Sequence, residues 1–224
     1  MQQITPIVRN LLIINIGIFI LGYLLNADLA RGFGLYYVES PFFAPYQVLT
    51  HFFLHGGMSH IFGNMLSLFF FGPLLENYMG GKRFLNFYMI CGFGASILYM
   101  LFNFIEIKQL EGAMELYSAS NNQEALSTAL DSYRAKLATP LIGASGAVFG
   151  ILMAFGLLFP NMELMMLFPP IPIKAKYFIA LYGAYEIYSE IWTKVGDNIA
   201  HTAHLGGMLF AFILIKMWKM KSVN

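Results

Sequence analysis

Charged residues are scarce in this chain. Only 11% of its 224 residues are Asp, Glu, Lys or Arg, while 58% are hydrophobic, and the mean hydropathy is +0.63. A soluble domain of this length cannot hide that much apolar surface in one core, so an integral membrane protein is expected. Cysteine is nearly absent. Cys91 is the single copy, which excludes an intrachain disulfide and speaks against redox chemistry. A net charge of +1 gives no basis for a nucleic-acid or other polyanion partner. Internal and inverted repeats are missing too, which removes the commonest transporter architecture. What the chain has instead is aromatic residues at 17%, most of them phenylalanine, and 14 methionines, a composition suited to helices that face lipid.

Six apolar stretches are long enough, or nearly so, to cross about 30 Å of hydrocarbon at 1.5 Å per residue. They lie near residues 7–25, 58–79, 83–105, 141–160, 175–193 and 199–219 of a single membrane domain, 1–224. The first has only Arg9 before it and no small-residue cleavage site after it, so it reads as a retained span. The fifth is the weakest, because Glu186, Ser189 and Glu190 interrupt its second half. Arg9, Lys82, Arg83, Lys174, Lys176, Lys216, Lys219 and Lys221 fall on the side of the termini. The longer loops opposite hold Arg31, Lys108, Arg134, Lys136 and Lys194. Eight against five places both termini in the cytoplasm. Small size, six spans and no targeting segment suggest a bacterial cytoplasmic membrane.

Two outer loops interrupt the spans. Residues 26–57 carry Gly, Pro and aromatics with no clean period, which suggests a structure partly embedded at the interface. Residues 106–139 are polar, with Leu126, Leu130, Tyr133 and Leu137 at helical spacing, which predicts a short amphipathic helix outside the membrane.

Three of the spans start on the outer side and run inward. Their first turns hold His60 and Asn64, Ser145, and His204, all within roughly 10 Å of the surface. His60 and Asn64 are four apart and share a helix face. Polar groups at such depth are costly unless they face an interior or a wet cavity. Gly146, Gly150 and Ala154 form one small-residue ridge and Ala203, Gly207 and Ala211 another, which lets the helices bearing Ser145 and His204 approach closely. A serine needs a neighbouring base to become a nucleophile, and a histidine has the right basicity. Attack on a peptide carbonyl creates an oxyanion, for which His60, Asn64 and the Ser145 backbone N–H are candidate donors.

These residues, His60-Ile-Phe-Gly-Asn64, Gly143-Ala-Ser145-Gly146 and Ala203-His204-Leu-Gly-Gly207 in that order across six spans, resemble the rhomboid family of intramembrane serine proteases. The resemblance implies a six-helix all-α bundle, Ser145 as nucleophile, His204 as general base and acid, His60, Asn64 and Ser145 as the oxyanion hole, and no cofactor. It implies substrates that are transmembrane proteins, admitted from the lipid near the second and fifth spans, unwound and then cut. It also implies that residues 194–199 cap the site and that the 26–57 loop is partly in the membrane. Two positions depart from the family pattern. Tyr46-Gln47 stands where many members have Trp-Arg, which puts in question a structural hydrogen-bond network and not catalysis. Phe149 stands where a tyrosine often packs on the histidine, so only a ring face is available.

A serine among small residues in a membrane helix is, taken alone, a packing residue; its coincidence with His204, His60 and Asn64 favours a nucleophile. His51 and His55 read as anchors of the first loop, His201 as a residue facing the cavity mouth that either supports the catalytic histidine or is simply interfacial, and Glu76 as a helix-end hydrogen-bonding residue. Five histidines on one side raise a metal site. No HExxH occurs, however, and no carboxylate is expected at the depth of His60 and His204, so no metal is assigned and a Ser-His dyad oriented by packing is expected. The alternative function is a non-catalytic rhomboid-like protein that binds membrane clients.

Overall fold

The computed structural model of the protein describes residues 3–165, 171–192 and 200–223. Nine α-helices and one small hairpin occur among them. The helices are α1 (Pro6–Leu24), α2 (Leu29–Phe33), α3 (Gln47–Thr50), α4 (Met58–Met79), α5 (Gly81–Ala119), α6 (Gln123–Ala138), α7 (Ser145–Leu158), α8 (Ala175–Trp192) and α9 (His201–Met217), with a 3₁₀ turn at His51–Phe53. Antiparallel strands β1 (Glu163–Met165) and β2 (Pro172–Lys174) join α7 to α8, with Leu164 opposite Ile173. Three helices, α1, α4 and α5, are long and apolar enough to cross a membrane, and α7 and α9 are shorter apolar helices.

The core is built around α7. Twelve of its 14 residues are buried, and it packs most extensively on α9, then α5, α4 and α8. Glycine makes this possible at two levels. A Cβ on Gly207 would overlap the Gly146 carbonyl, and one on Gly150 would run into the side chain of Cys91. The small-residue ridges expected on α7 and α9 therefore meet, backbone against backbone. The outward faces of α1 and α5 carry exposed Ile13, Ile20, Leu21, Ile97, Leu101 and Phe104, a surface suited to lipid.

The N-terminal end of α1 is tied down by Glu76 of α4, a buried residue. Its carboxylate accepts Thr5 Oγ1 at 2.5 Å and the backbone N–H groups of Ile7 and Val8 at 3.0 and 2.9 Å. Glu76 thus satisfies amides that a helix start leaves without partners. Its hydrogen-bonding role matches the expectation, although the helix end it serves is that of α1.

Boundaries shift in two places. The third apolar stretch was expected to end near 105, but α5 continues to Ala119. Glu106 to Ala119 is polar yet rich in good helix formers, so the change in composition does not end the helix. Helix α6 then folds back along α5, with its stripe of Leu126, Leu130, Tyr133 and Leu137 half-buried around buried Ala129 and an ion pair between Lys136 and Glu106. The fourth stretch begins its helix at Ser145, four residues later than expected. Leu141 is held extended by exchanging backbone hydrogen bonds with Leu35 at 2.8 and 2.9 Å, and Gly143 has φ +120°.

Candidate active site

At one end of the bundle His60 Nε2 and Ser145 Oγ both lie against Gly143, and His204 of α9 packs on Phe149 of α7; no hydrogen bond joins Ser145 to His204 among the described residues. Ser145 is the first residue of α7 and 8% exposed. Its backbone N–H is among the four that an α-helix leaves without an internal partner, at the positive end of the helix dipole. Gly143 shapes the approach to it. A side chain there would sit 2.8 Å from His60 Nε2 and 3.6 Å from Ser145 Oγ, so the positive φ and the close approach both demand glycine.

His204 is held from two sides. Its imidazole stacks on Phe149, one turn after Ser145, with ring centroids 4.0 Å apart and planes 6° from parallel. The stacking face expected of Phe149 is present. On the other side, His204 Nδ1 lies 3.0 Å from Oε2 of Glu186 on α8. The carboxylate is buried, and the same oxygen lies 2.6 Å from Nδ1 of His201. A carboxylate can only accept, so each Nδ1 carries the proton and the Nε2 of His204 keeps its lone pair.

This corrects the expectation that no carboxylate lies at the depth of His204. Ala175, Ile179, Glu186 and Ser189 are the buried residues of α8 and recur at helical spacing, so Glu186 continues the inward face of the helix. His201 is likewise buried, at 3% exposure, instead of facing a cavity mouth, and it shares with His204 the Glu186 oxygen, which fits the supporting role of the two readings given for it. The proposed cap, residues 194–199, lies outside the described residues.

His60 and Asn64 present donors. The Gly56 N–H donates to His60 Nδ1 at 3.4 Å, which leaves the proton on Nε2, the nitrogen that faces Gly143. Asn64 is 6% exposed, and its Nδ2 is buried with no hydrogen-bond partner among the described residues. An unpaired buried amide nitrogen is costly to keep, and Asn64 shares that state with Asn15 Oδ1, Tyr88 Oη and both ring nitrogens of His55. His55 packs edge-on against His60, with ring centroids 5.1 Å apart.

The 26–57 loop is fastened beneath this cluster by His51 and Gln47. Buried His51 donates Nδ1–H to the Gln47 carbonyl at 2.7 Å and receives the Ser96 hydroxyl of α5 on Nε2 at 2.9 Å. Its own carbonyl accepts the Gly143 N–H at 2.8 Å. One residue thus links the loop, α5 and the segment that leads into Ser145. Gln47 accepts the Ala44 N–H at 3.0 Å and donates to the Phe42 carbonyl at 2.9 Å, and Tyr46 Oη donates to the Gly32 carbonyl at 3.0 Å. Tyr46 and Gln47 thus both hydrogen-bond the loop backbone at the position where a structural network was in question.

Burial lowers the His51 pKa to about 4 from 6.5, because the charged ring cannot be solvated there. The folded state therefore binds this proton less readily than the unfolded chain does. The contribution is full above pH 6.5 and is lost as pH falls from 6.5 towards 4, by roughly 3 kcal/mol in total. Thermal melting of the detergent-solubilised protein between pH 7.5 and 4.5 is expected to show this fall, and His51→Gln to flatten it. An unchanged slope in His51→Gln would assign the acid lability elsewhere.

A helical bundle with membrane-length helices, a buried serine at a helix start and a buried histidine paired with a carboxylate is the class that the fold and candidate site point to. The chain belongs to the rhomboid family: the model of the Rhomboid domain matches residues 43–220. It is 27% identical to RHOMBOID-like protein 12, mitochondrial, of Arabidopsis thaliana, over 92% of this chain and 56% of that one. It is 31% identical to RHOMBOID-like protein 1 of the same plant, over 75% and 33%. Rhomboid protein 1, mitochondrial, of Saccharomyces cerevisiae is 25% identical over 72% and 38%. The chain thus spans from a third to just over half the length of these relatives. Membrane-length helices and family together make it an integral membrane protein. Two of these relatives carry mitochondrial names, so the expectation of a bacterial cytoplasmic membrane gains no support from them.

Proposed function

We propose that the protein is an intramembrane serine endopeptidase, cutting membrane proteins within or beside their transmembrane segments. What supports this reading is that His60 Nε2 and Ser145 Oγ both lie against Gly143, that His204 stacks on Phe149 one turn after Ser145, and that the Asn64 amide nitrogen is buried and unpaired. Ser145 Oγ attacks the peptide carbonyl while His204 Nε2 takes its proton. The oxyanion is held by the Ser145 N–H, His60 Nε2–H and Asn64 Nδ2–H. His204 returns the proton to the leaving amine, and the acyl-enzyme is then hydrolysed by a water that His204 deprotonates. Glu186 keeps the proton on His204 Nδ1 throughout.

Six membrane crossings, by α1, α4, α5, α7, α8 and α9, with both termini in the cytoplasm, complete the reading. Helix α7 has 14 residues and is about 21 Å long against about 30 Å of hydrocarbon. With its C-terminal end at the inner boundary, Ser145 lies some ~9 Å below the outer one, within reach of water. Substrate helices would come in from lipid between α4 and α8.

Detergent-solubilised protein incubated with a transmembrane reporter is the test of this reading. Asn64→Ala is expected to lower turnover roughly 10 to 1,000-fold with little loss of thermal stability. Unchanged turnover would remove Asn64 from the oxyanion hole, and a variant that unfolds would make it a packing residue. Client binding with no cleavage of any reporter would favour the non-catalytic alternative.

A further inference from the structure

Glu186, His201 and His204 gather three metal-ligating atoms in one buried place. Oε2 of Glu186 and the two Nδ1 atoms all lie within 4.8 Å of one another. Phe149 stacks on His204 and Tyr185 lies edge-on to His201, and the carboxylate of Glu190 is near enough to His201 to interact with it electrostatically. Two imidazoles and a carboxylate are a donor set that zinc accepts with about 2.0–2.2 Å bonds and one position left for water. A tetrahedron of those bonds has edges of about 3.3 Å. The His201 and His204 contacts with Oε2, at 2.6 and 3.0 Å, need to open by under 1 Å to reach it, and the two Nδ1 atoms, within 4.8 Å of each other, need to close by up to about 1.5 Å. The side chains come from two helices that already pack together, α8 and α9, so the closure asks for side-chain rotation within an existing helix contact.

We propose that Glu186, His201 and His204 form a binding site for a divalent cation of the zinc class, and that its occupation and catalysis exclude each other. The exclusion rests on His204 acting as the general base. A cation on Nδ1 uses that nitrogen's lone pair, so the ring proton moves to Nε2. The nitrogen that would accept the Ser145 proton then becomes a donor. Neutralised Glu186 can no longer favour the active tautomer. Zinc is thus a reversible inhibitor here, with no part in the reaction itself.

Cobalt(II), whose visible absorption reports coordination by nitrogen and oxygen, is the probe. It is titrated into the full-length Ser145→Ala protein in detergent, in which no proteolysis is needed for the readout. The expected result is saturable d–d absorption at about one cobalt per chain, displaced by zinc, and weakened at least roughly 10-fold by a further His201→Asn change. Should that variant fail to fold, ¹⁵N histidine spectra of Ser145→Ala alone serve instead, with both Nδ1–H signals expected to vanish on adding zinc. No cobalt absorption from folded Ser145→Ala, or equal affinity after His201→Asn, overturns the site. With the wild-type protein, zinc is expected to lower reporter cleavage at least roughly 10-fold and a chelator to restore it. Cobalt uptake with zinc-insensitive cleavage overturns the exclusion. If no reporter is cut at all, the protease reading fails while the Ser145→Ala absorption still decides the metal site.

Discussion

Ser145→Ala is expected to lower reporter cleavage by at least roughly 10³-fold, and His204→Ala by a similar factor. The two losses do not add, because a serine without its base and a base without its serine fail at the same step. Ser145→Ala removes one oxygen from a site whose packing is dominated by glycine and by Phe149, so its thermal midpoint should stay near that of the parent. His204→Ala is different, since it removes a ring stacked 4.0 Å from Phe149 and leaves Glu186 with one histidine. Some loss of stability is therefore expected in addition. Cleavage retained within 10-fold by folded Ser145→Ala would mean that another group is the nucleophile.

Glu186→Ala has the next largest expected effect, roughly 10² in turnover. Removing the acceptor of a catalytic histidine's Nδ1–H has cost more than that in serine proteases, chiefly through the wrong tautomer. Here Phe149 fixes the ring plane independently, which should spare part of the effect. The distinguishing readout is the tautomer. ¹⁵N spectra of His204 should show the Nδ1–H form in the parent and its loss in Glu186→Ala, while a purely structural Glu186 would leave the tautomer alone. Glu186→Gln should fall between, because an amide oxygen can still accept one of the two Nδ1–H groups that now share Oε2. Turnover within twofold of the parent in folded Glu186→Ala would remove Glu186 from the orienting role.

Glu186 also shows where a sequence stops informing. Its carboxylate was read as a break in a weak helix, when counting residues would have placed it about 9 Å below the outer end of α8, near the level expected for His204. The spacing of Ala175, Ile179 and Glu186 on one face was visible, but which face turns towards α9 is decided by packing between helices. The glycine ridges were legible for the opposite reason. A residue without a side chain restricts what may lie beside it, so Gly146, Gly150 and Gly207 announced a close helix pair before any contact was known. Phe149 stacking was implied by the family resemblance, in which the residue one turn after the serine packs on the histidine. Gln47 and His51 were harder, since their partners are backbone groups in a loop with no period. The continuation of α5 to Ala119 was missed because loss of hydrophobicity marks where a helix leaves lipid and not where it ends.

The central claim is that Ser145 is an activated nucleophile. Labelling of the detergent-solubilised protein with a fluorophosphonate, followed by peptide mapping, tests it most directly. Covalent phosphonylation of Ser145, lost when His204 is replaced by alanine, is the predicted result; a folded protein that takes up no label, or takes it up equally without His204, would contradict it.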